Sequence, residues 1–267
     1  MSMPLRRCLH RLVIVLGGLL YMAGALSQEE VANGIAGAGF QLVFETSWKN
    51  GFERGMGTQA AQPADVAVVD DPLSPGHKAV RIHIGKDENF AHVANGLPRA
   101  ELLLPQSVHF ETGREYLIRW STLLPAGFRF DSQKMAIVTQ IHQSALSGSP
   151  PFMLTLLGPD YTASERGGTN TVHGRGARIC CASSDVARWV HWALYYTPDA
   201  SGHRAITQLW KDGVKVFDSH GMPNAYPDEQ RAYLKLGVYK PGWQQTPSDI
   251  DEITLFYGPV SVQQRGE

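Results

Sequence analysis

Beyond residue 27 this chain never sustains apolar residues at helical spacing. It offers short runs that alternate or are wholly apolar, each closed by glycine, proline or Asp-Gly. Side chains alternate between the two faces of a strand, so such runs read as strands, and many of them between turn signals read as a sandwich or barrel. Strands are expected at 41–45, 66–69, 79–84, 99–104, 116–121, 136–142, 152–157, 189–196, 233–239 and 253–257. Asp212-Gly213 joins 206–210 to 214–217 as a hairpin, the strongest local turn signal in the chain. The prolines and glycine of 70–76 mark a turn. The Gly/Ala/Gln-rich residues 50–65 and the Ser/Gly/Pro segment 144–151 read as loops. Residues 158–176, rich in Gly, Thr, Asn and Arg, read as a long loop able to overhang a cleft. Any helix should be short, for example near 222–232. No repeat or linker divides the chain, so residues 40–267 are expected to form a single domain.

The first residues have the pattern of an export signal. Arg6, Arg7 and Arg11 precede an apolar stretch from Leu12 to Ala25, and small residues for cleavage follow. Residues 1–27 are read as the signal and 28–39 as a flexible leader, which places the mature protein outside the cell or in the periplasm, with no membrane attachment. Losing 1–27 changes 24 basic against 25 acidic residues to 21 against 25, a formal charge of −4. That balance argues against a nucleic-acid partner. The mature chain keeps Cys180 and Cys181. Neighbouring side chains on a strand diverge and a bridge between them needs a strained ring, so two free buried thiols are at least as expected as a disulfide. No zinc-type spacing exists.

Three runs carry the chemistry. In Tyr233-Leu234-Lys235-Leu236-Gly237-Val238-Tyr239, the leucines and valine share a core face, while Tyr233, Lys235, Gly237 and Tyr239 share the other. Gly237 would leave room there for a ligand. In Thr139-Gln140-Ile141-His142, Gln140 and His142 share a face. In Arg99-Ala100-Glu101, so do Arg99 and Glu101. Taken singly, each is an ordinary amphipathic strand. Together they offer a guanidinium, an amide, an imidazole, an ammonium and phenols on one sheet face. β-Elimination on a uronate sugar needs that set: donors to neutralise the carboxylate, a base for the proton on C5, and an acid for the oxygen leaving C4. Arg99 suits the first role, with Gln140 beside it. His142 suits the second. Tyr239 suits the third, since a phenol is protonated at neutral pH.

These three runs resemble the signature strands of jelly-roll alginate lyases, which carry an Arg–Glu strand, a Gln-Ile-His strand and a Tyr-x-Lys-x-Gly-x-Tyr strand. The longer layout, over roughly residues 40–258, is similar to heparin-lyase-like enzymes and glucuronan lyases. The resemblance implies an all-β, concanavalin-like jelly roll: two antiparallel sheets with a concave groove for an anionic, uronate-containing polysaccharide. It implies catalytic roles for Arg99, Gln140, His142 and Tyr239. In these families the tyrosine can serve as base and acid together, and whether it or His142 takes the proton depends on the side of the sugar it approaches. Alginate lyases usually carry a further arginine where this chain has Leu103, which weakens an assignment to alginate.

Glu101, Lys235 and Tyr233 complete the expected binding face, Glu101 by orienting Arg99 or Lys235. Trp243, after Pro241-Gly242, is placed to stack on a sugar, and His173 and Arg175 could reach an anionic chain from the 158–176 loop. No cofactor or catalytic metal is called for, a structural calcium ion is left open, and the protein is expected to be a monomer. Two competing readings remain on the same fold. One is a carbohydrate-binding protein without catalysis. The other is a glycoside hydrolase, which needs paired carboxylates; the one dense acidic stretch, Asp249-Ile250-Asp251-Glu252, lies at the start of the last expected strand.

Overall fold

A computed structural model describes residues 39–144, 149–168 and 173–266, except for the side chain of His173. The expected signal and all of the leader but Gly39 lie outside these residues. Among the described residues sixteen strands run in chain order: β1 (Phe40–Thr46), β2 (Gly57–Gln59), β3 (Val66–Asp70), β4 (Lys78–Gly85), β5 (Arg99–Leu103), β6 (Tyr116–Leu123), β7 (Ala136–His142), β8 (Phe152–Leu157), β9 (Asp160–Gly167), β10 (His173–Ile179), β11 (Trp189–Thr197), β12 (Ile206–Lys211), β13 (Val214–His220), β14 (Tyr233–Tyr239), β15 (Glu252–Tyr257) and β16 (Val260–Arg265).

They form two antiparallel sheets, the expected jelly-roll sandwich. One runs β13-β12-β11-β6-β15-β4-β3, with β16 also on β6 and β1 on β16. The other runs β10-β9-β8-β7-β14-β5-β2. Chain order and sheet order differ because β14, late in the sequence, is inserted between β7 and β5. That insertion puts the three chemical runs side by side.

The inner faces interlock. Ala100, Leu102, Ile141, Leu234, Leu236 and Val238 are almost fully buried against the opposite sheet, and burying side chains of this size stabilises by about 1.5–3 kcal/mol each. Trp120 and Trp192 stack at 6.3 Å in the same core. The cost of this packing is an irregular ladder. β7 and β14 slip register between Leu236 and Tyr239, and β7 slips against β8 between Ile137 and Thr139. Tyr257 of the other sheet reaches this point through the core. Its hydroxyl accepts from the Gly237 N–H at 3.1 Å and donates to the Val138 carbonyl.

Two expectations about the backbone are corrected, and the open question of the two cysteines is answered. Residues 160–167 and 173–176 are strand rather than loop: β9 and β10 pair antiparallel at the edge of the sheet, because polar and glycine residues suit strands near an edge as well as they suit a loop. The segment 222–232 holds no helix; its polar residues serve as irregular packing around Asn224, which is fully buried and donates to Thr197, Ile206 and Thr207. Cys180 and Cys181 are joined by a disulfide, and Cys180 is exposed.

Candidate active site

The outward residues of β5, β14 and β7 meet in register. Tyr239 pairs with Arg99, Gly237 with Glu101, Lys235 with Gln140 and Tyr233 with His142. Alternation alone sends these side chains outward, and the sheet order places them within reach of one another. Arg99, Gln140, His142, Tyr233, Lys235 and Tyr239 line a hollow of about 260 Å³ with Gln59, Ala94, Asn95 and Pro150.

The floor of the hollow is a buried polar cluster centred on Glu101, which is 2 % exposed. One oxygen lies 3.1 Å from the Lys235 ammonium and 3.4 Å from Arg99, and the other accepts from the Gln140 amide. Lys235 also donates to Gln59 at 2.8 Å. Arg99 donates to Gln59 at 3.3 Å and to Asn95. Two cations and one anion leave the floor one net positive charge. Burial pushes the Lys235 ammonium below its ordinary pKa, partly opposed by the Glu101 charge.

The two candidate proton carriers stand beside this floor. The Arg99 guanidinium lies 4.1 Å from the centre of the Tyr239 ring, a stacking contact that fixes the phenol. His142 packs beside Tyr233 with ring centres 5.7 Å apart. Its Nδ1 sits 2.7 Å from the Gln143 carbonyl. A carbonyl can only accept, so Nδ1 carries the proton, and in the neutral ring Nε2 holds a free lone pair. Burial lowers the His142 pKa below 6.5, which keeps the ring neutral at neutral pH.

A family model for polysaccharide lyases matches residues 44–258. The chain belongs to the polysaccharide lyase family. Its fold is similar to that of an endo-β-1,4-glucuronan lyase from the fungus Trichoderma reesei, with a TM-score of 0.67 at 15% identity over 83% of this chain and 95% of that one. It is also similar to an alginate lyase from Pseudomonas aeruginosa, with a TM-score of 0.53 at 14% identity over 78% of this chain and 97% of that one. A search of curated proteins gave no match.

Several expected contributors to the lyase's site stand elsewhere. Trp243 is fully buried, donating to Ser248 at 2.8 Å, with the Lys240 ammonium 5.3 Å from its ring centre. The turn folds this tryptophan into the hydrophobic core, which leaves no face for a sugar to stack on. Arg175 lies on β10, the far edge of the sheet, over Phe217 of the other sheet. The His173 side chain lies outside the described residues. Gly237 does not open space for a ligand: a Cβ there would sit 2.2 Å from the Ala100 carbonyl oxygen, at a φ of +146°. The glycine is needed for the close approach of β5 at the register slip.

Gln59, Asn95, Pro150 and Tyr257 were not singled out from the sequence. Gln59 lies in a three-residue strand and Asn95 in an Asn-Gly turn, too short for any period to show. Among the described residues, the one group of three ligating side chains is Asp160, Cys180 and Cys181. The cysteines are bridged and the carboxylate pairs with Arg178 at 2.7 Å, so the set does not suit calcium, which takes six to eight oxygens.

Proposed function

We propose that this lyase cleaves a uronic-acid polysaccharide by β-elimination in the hollow over β5, β14 and β7. The observation that carries the reading is the charge balance there. The floor holds one net positive charge, flanked by a neutral imidazole and a phenol, and none of the ten described residues lining the hollow is acidic. One sugar carboxylate balances that charge. Held against Arg99 and Gln140, it accepts further electron density as C5 loses its proton, and one well-placed donor of this kind contributes about 10²–10³ in rate. His142 Nε2 takes the C5 proton, the C5 electron pair forms the C4=C5 double bond, and the C4–O bond breaks. The Tyr239 hydroxyl gives its proton to the leaving oxygen. Return of the proton from His142 to Tyr239, directly or through water, restores the enzyme.

A hydrolase would need two carboxylates about 5–10 Å apart across the bond. Glu101, the carboxylate of the floor, is tied to two cations and an amide. The same reading has the enzyme exported by residues 1–27 and acting as a monomer.

The test is a panel of glucuronan, alginate and heparin followed by ultraviolet absorbance. A rising signal from unsaturated uronate ends is expected on at least one polymer. Silence across the panel, or new reducing ends without the double bond, refutes the proposal.

A further inference from the structure

A second hollow, of about 420 Å³, adjoins the first and shares Tyr233 with it. Leu103, Leu104, Gln106, His109, Ser144 and Arg231 form the rest of its wall. The chain enters β14 through this hollow. Ala232 is buried and bridges to Phe110, so Arg231 on one side of it and Tyr233 on the other project outward together. One line along the chain therefore runs Arg231, Tyr233, Lys235, Gly237, Tyr239.

Arg231 differs from the cations of the first hollow. Arg99 and Lys235 are buried and already paired. Arg231 is exposed, and its side chain has no ion pair among the described residues. Glu229 lies behind the wall and does not pair with the guanidinium: its carboxylate accepts from the Ser144 N–H at 2.6 Å, the Ser144 hydroxyl at 2.8 Å and the Arg231 backbone N–H at 2.7 Å, and it is buried. His109 is engaged by Glu111 at 3.2 Å and offers no free cation. The guanidinium is thus the exposed, unpaired cation among the residues lining this hollow.

Four residues of extended chain separate Arg231 from Lys235, about 13 Å at about 3.3 Å per residue. An ionic contact reaches about 4 Å. One carboxylate cannot touch both cations, but carboxylates on different rings of one chain can.

We infer that the hollow around Arg231 is a second binding subsite for an acidic sugar, so that a polyuronate chain continues through the site past Tyr233 rather than ending there. This rests on the uronate reading of the first hollow. The floor charge of the first hollow holds the reacting sugar, Tyr233 is the shared wall, and Arg231 holds the carboxylate of a sugar further along.

The test is calorimetric binding of oligoglucuronates and oligomannuronates of two to eight units to the Tyr239→Phe protein, with and without Arg231→Ala. The Arg231 side chain is exposed and has no ion pair among the described residues, so its removal is expected to spare the fold. Affinity is expected to rise once the oligomer is long enough to reach the second hollow. Arg231→Ala should reduce that rise about three- to tenfold, the range for an exposed charge-assisted contact, while leaving the dimer unchanged. Carboxyl-reduced octamers should show no Arg231 dependence. Equal affinities in both proteins at every length, an equal loss on dimer and octamer, or no binding of any oligomer overturns the inference. Absorbance assays on the wild-type enzyme separate the two readings. Arg231-dependent binding with no unsaturated product removes the elimination chemistry and keeps the subsite; product without Arg231 dependence does the reverse.

Discussion

Glu101→Gln is the perturbation that most directly probes the floor of the hollow. The substitution keeps the shape and removes the charge that Arg99 and Lys235 share. At 3.1 and 3.4 Å, and with an effective dielectric of about 20, each contact is worth about 5 kcal/mol before desolvation is counted. Desolvation offsets much of this in the intact cluster, but the variant keeps the desolvated cations and loses their partner. Removing one member of a buried ion pair costs about 3–5 kcal/mol. In a domain of this size that is a fall in Tm of about 6–20 °C. The sign of the pH dependence follows from Lys235. Burial already depresses its folded-state pKa below 10.5, and losing Glu101 depresses it further. A depressed folded pKa contributes stability above the unfolded value and loses it as pH falls, so the deficit should be larger at pH 7 than at pH 10. Denaturant unfolding at the two pH values measures it. Lys235→Met in the Glu101→Gln background should restore part of the loss by removing the orphaned ammonium, as a double-mutant cycle would show. A Glu101→Gln protein within about 1 kcal/mol of wild type, or no recovery on adding Lys235→Met, would refute the account of the cluster.

Four further outcomes are expected. Tyr239→Phe should keep the fold, by calorimetry, and lower kcat by about 10²–10⁴, the usual contribution of a positioned acid or base. The acid limb of kcat/KM should have its midpoint below pH 6.5, because burial lowers the His142 pKa and only the neutral ring can take a proton; His142→Gln should abolish both the limb and most activity in steady-state assays. Tyr257→Phe should destabilise by about 1–3 kcal/mol, because the Gly237 N–H and Val138 carbonyl lose the hydroxyl between them, and hydrogen exchange at Gly237 should quicken. Gly237→Ala should unfold the domain or lower its Tm sharply in a thermal melt, since the new Cβ meets the backbone of β5 on both Ala100 and Glu101.

Much of the site was legible in the residues. The two-residue period of Arg99/Glu101, Gln140/His142 and Tyr233/Lys235/Tyr239 fixes which side chains share a face, because a strand allows no other arrangement. The apolar partners in each run, Ala100, Ile141, Leu234, Leu236 and Val238, likewise commit the opposite face to a core. The errors came where local composition is ambiguous. Glycine and polar residues suit both loops and edge strands, which hid β9 and β10. A tryptophan after a tight turn can point either way, and burial of Trp243 depends on what lies beneath it.

By itself, then, the sequence determined a sandwich of short strands and the residue types available for chemistry, since alternation, turn residues and side-chain pKa values are local properties. Only the tertiary structure decided that β14 lies between β5 and β7. It also decided that Glu101 neutralises one of two buried cations, that Gly237 serves a close strand contact, and that a second hollow continues from Tyr233 to Arg231. Strand order, burial and the distance between charges are set by residues far apart in the chain, and no local period records them.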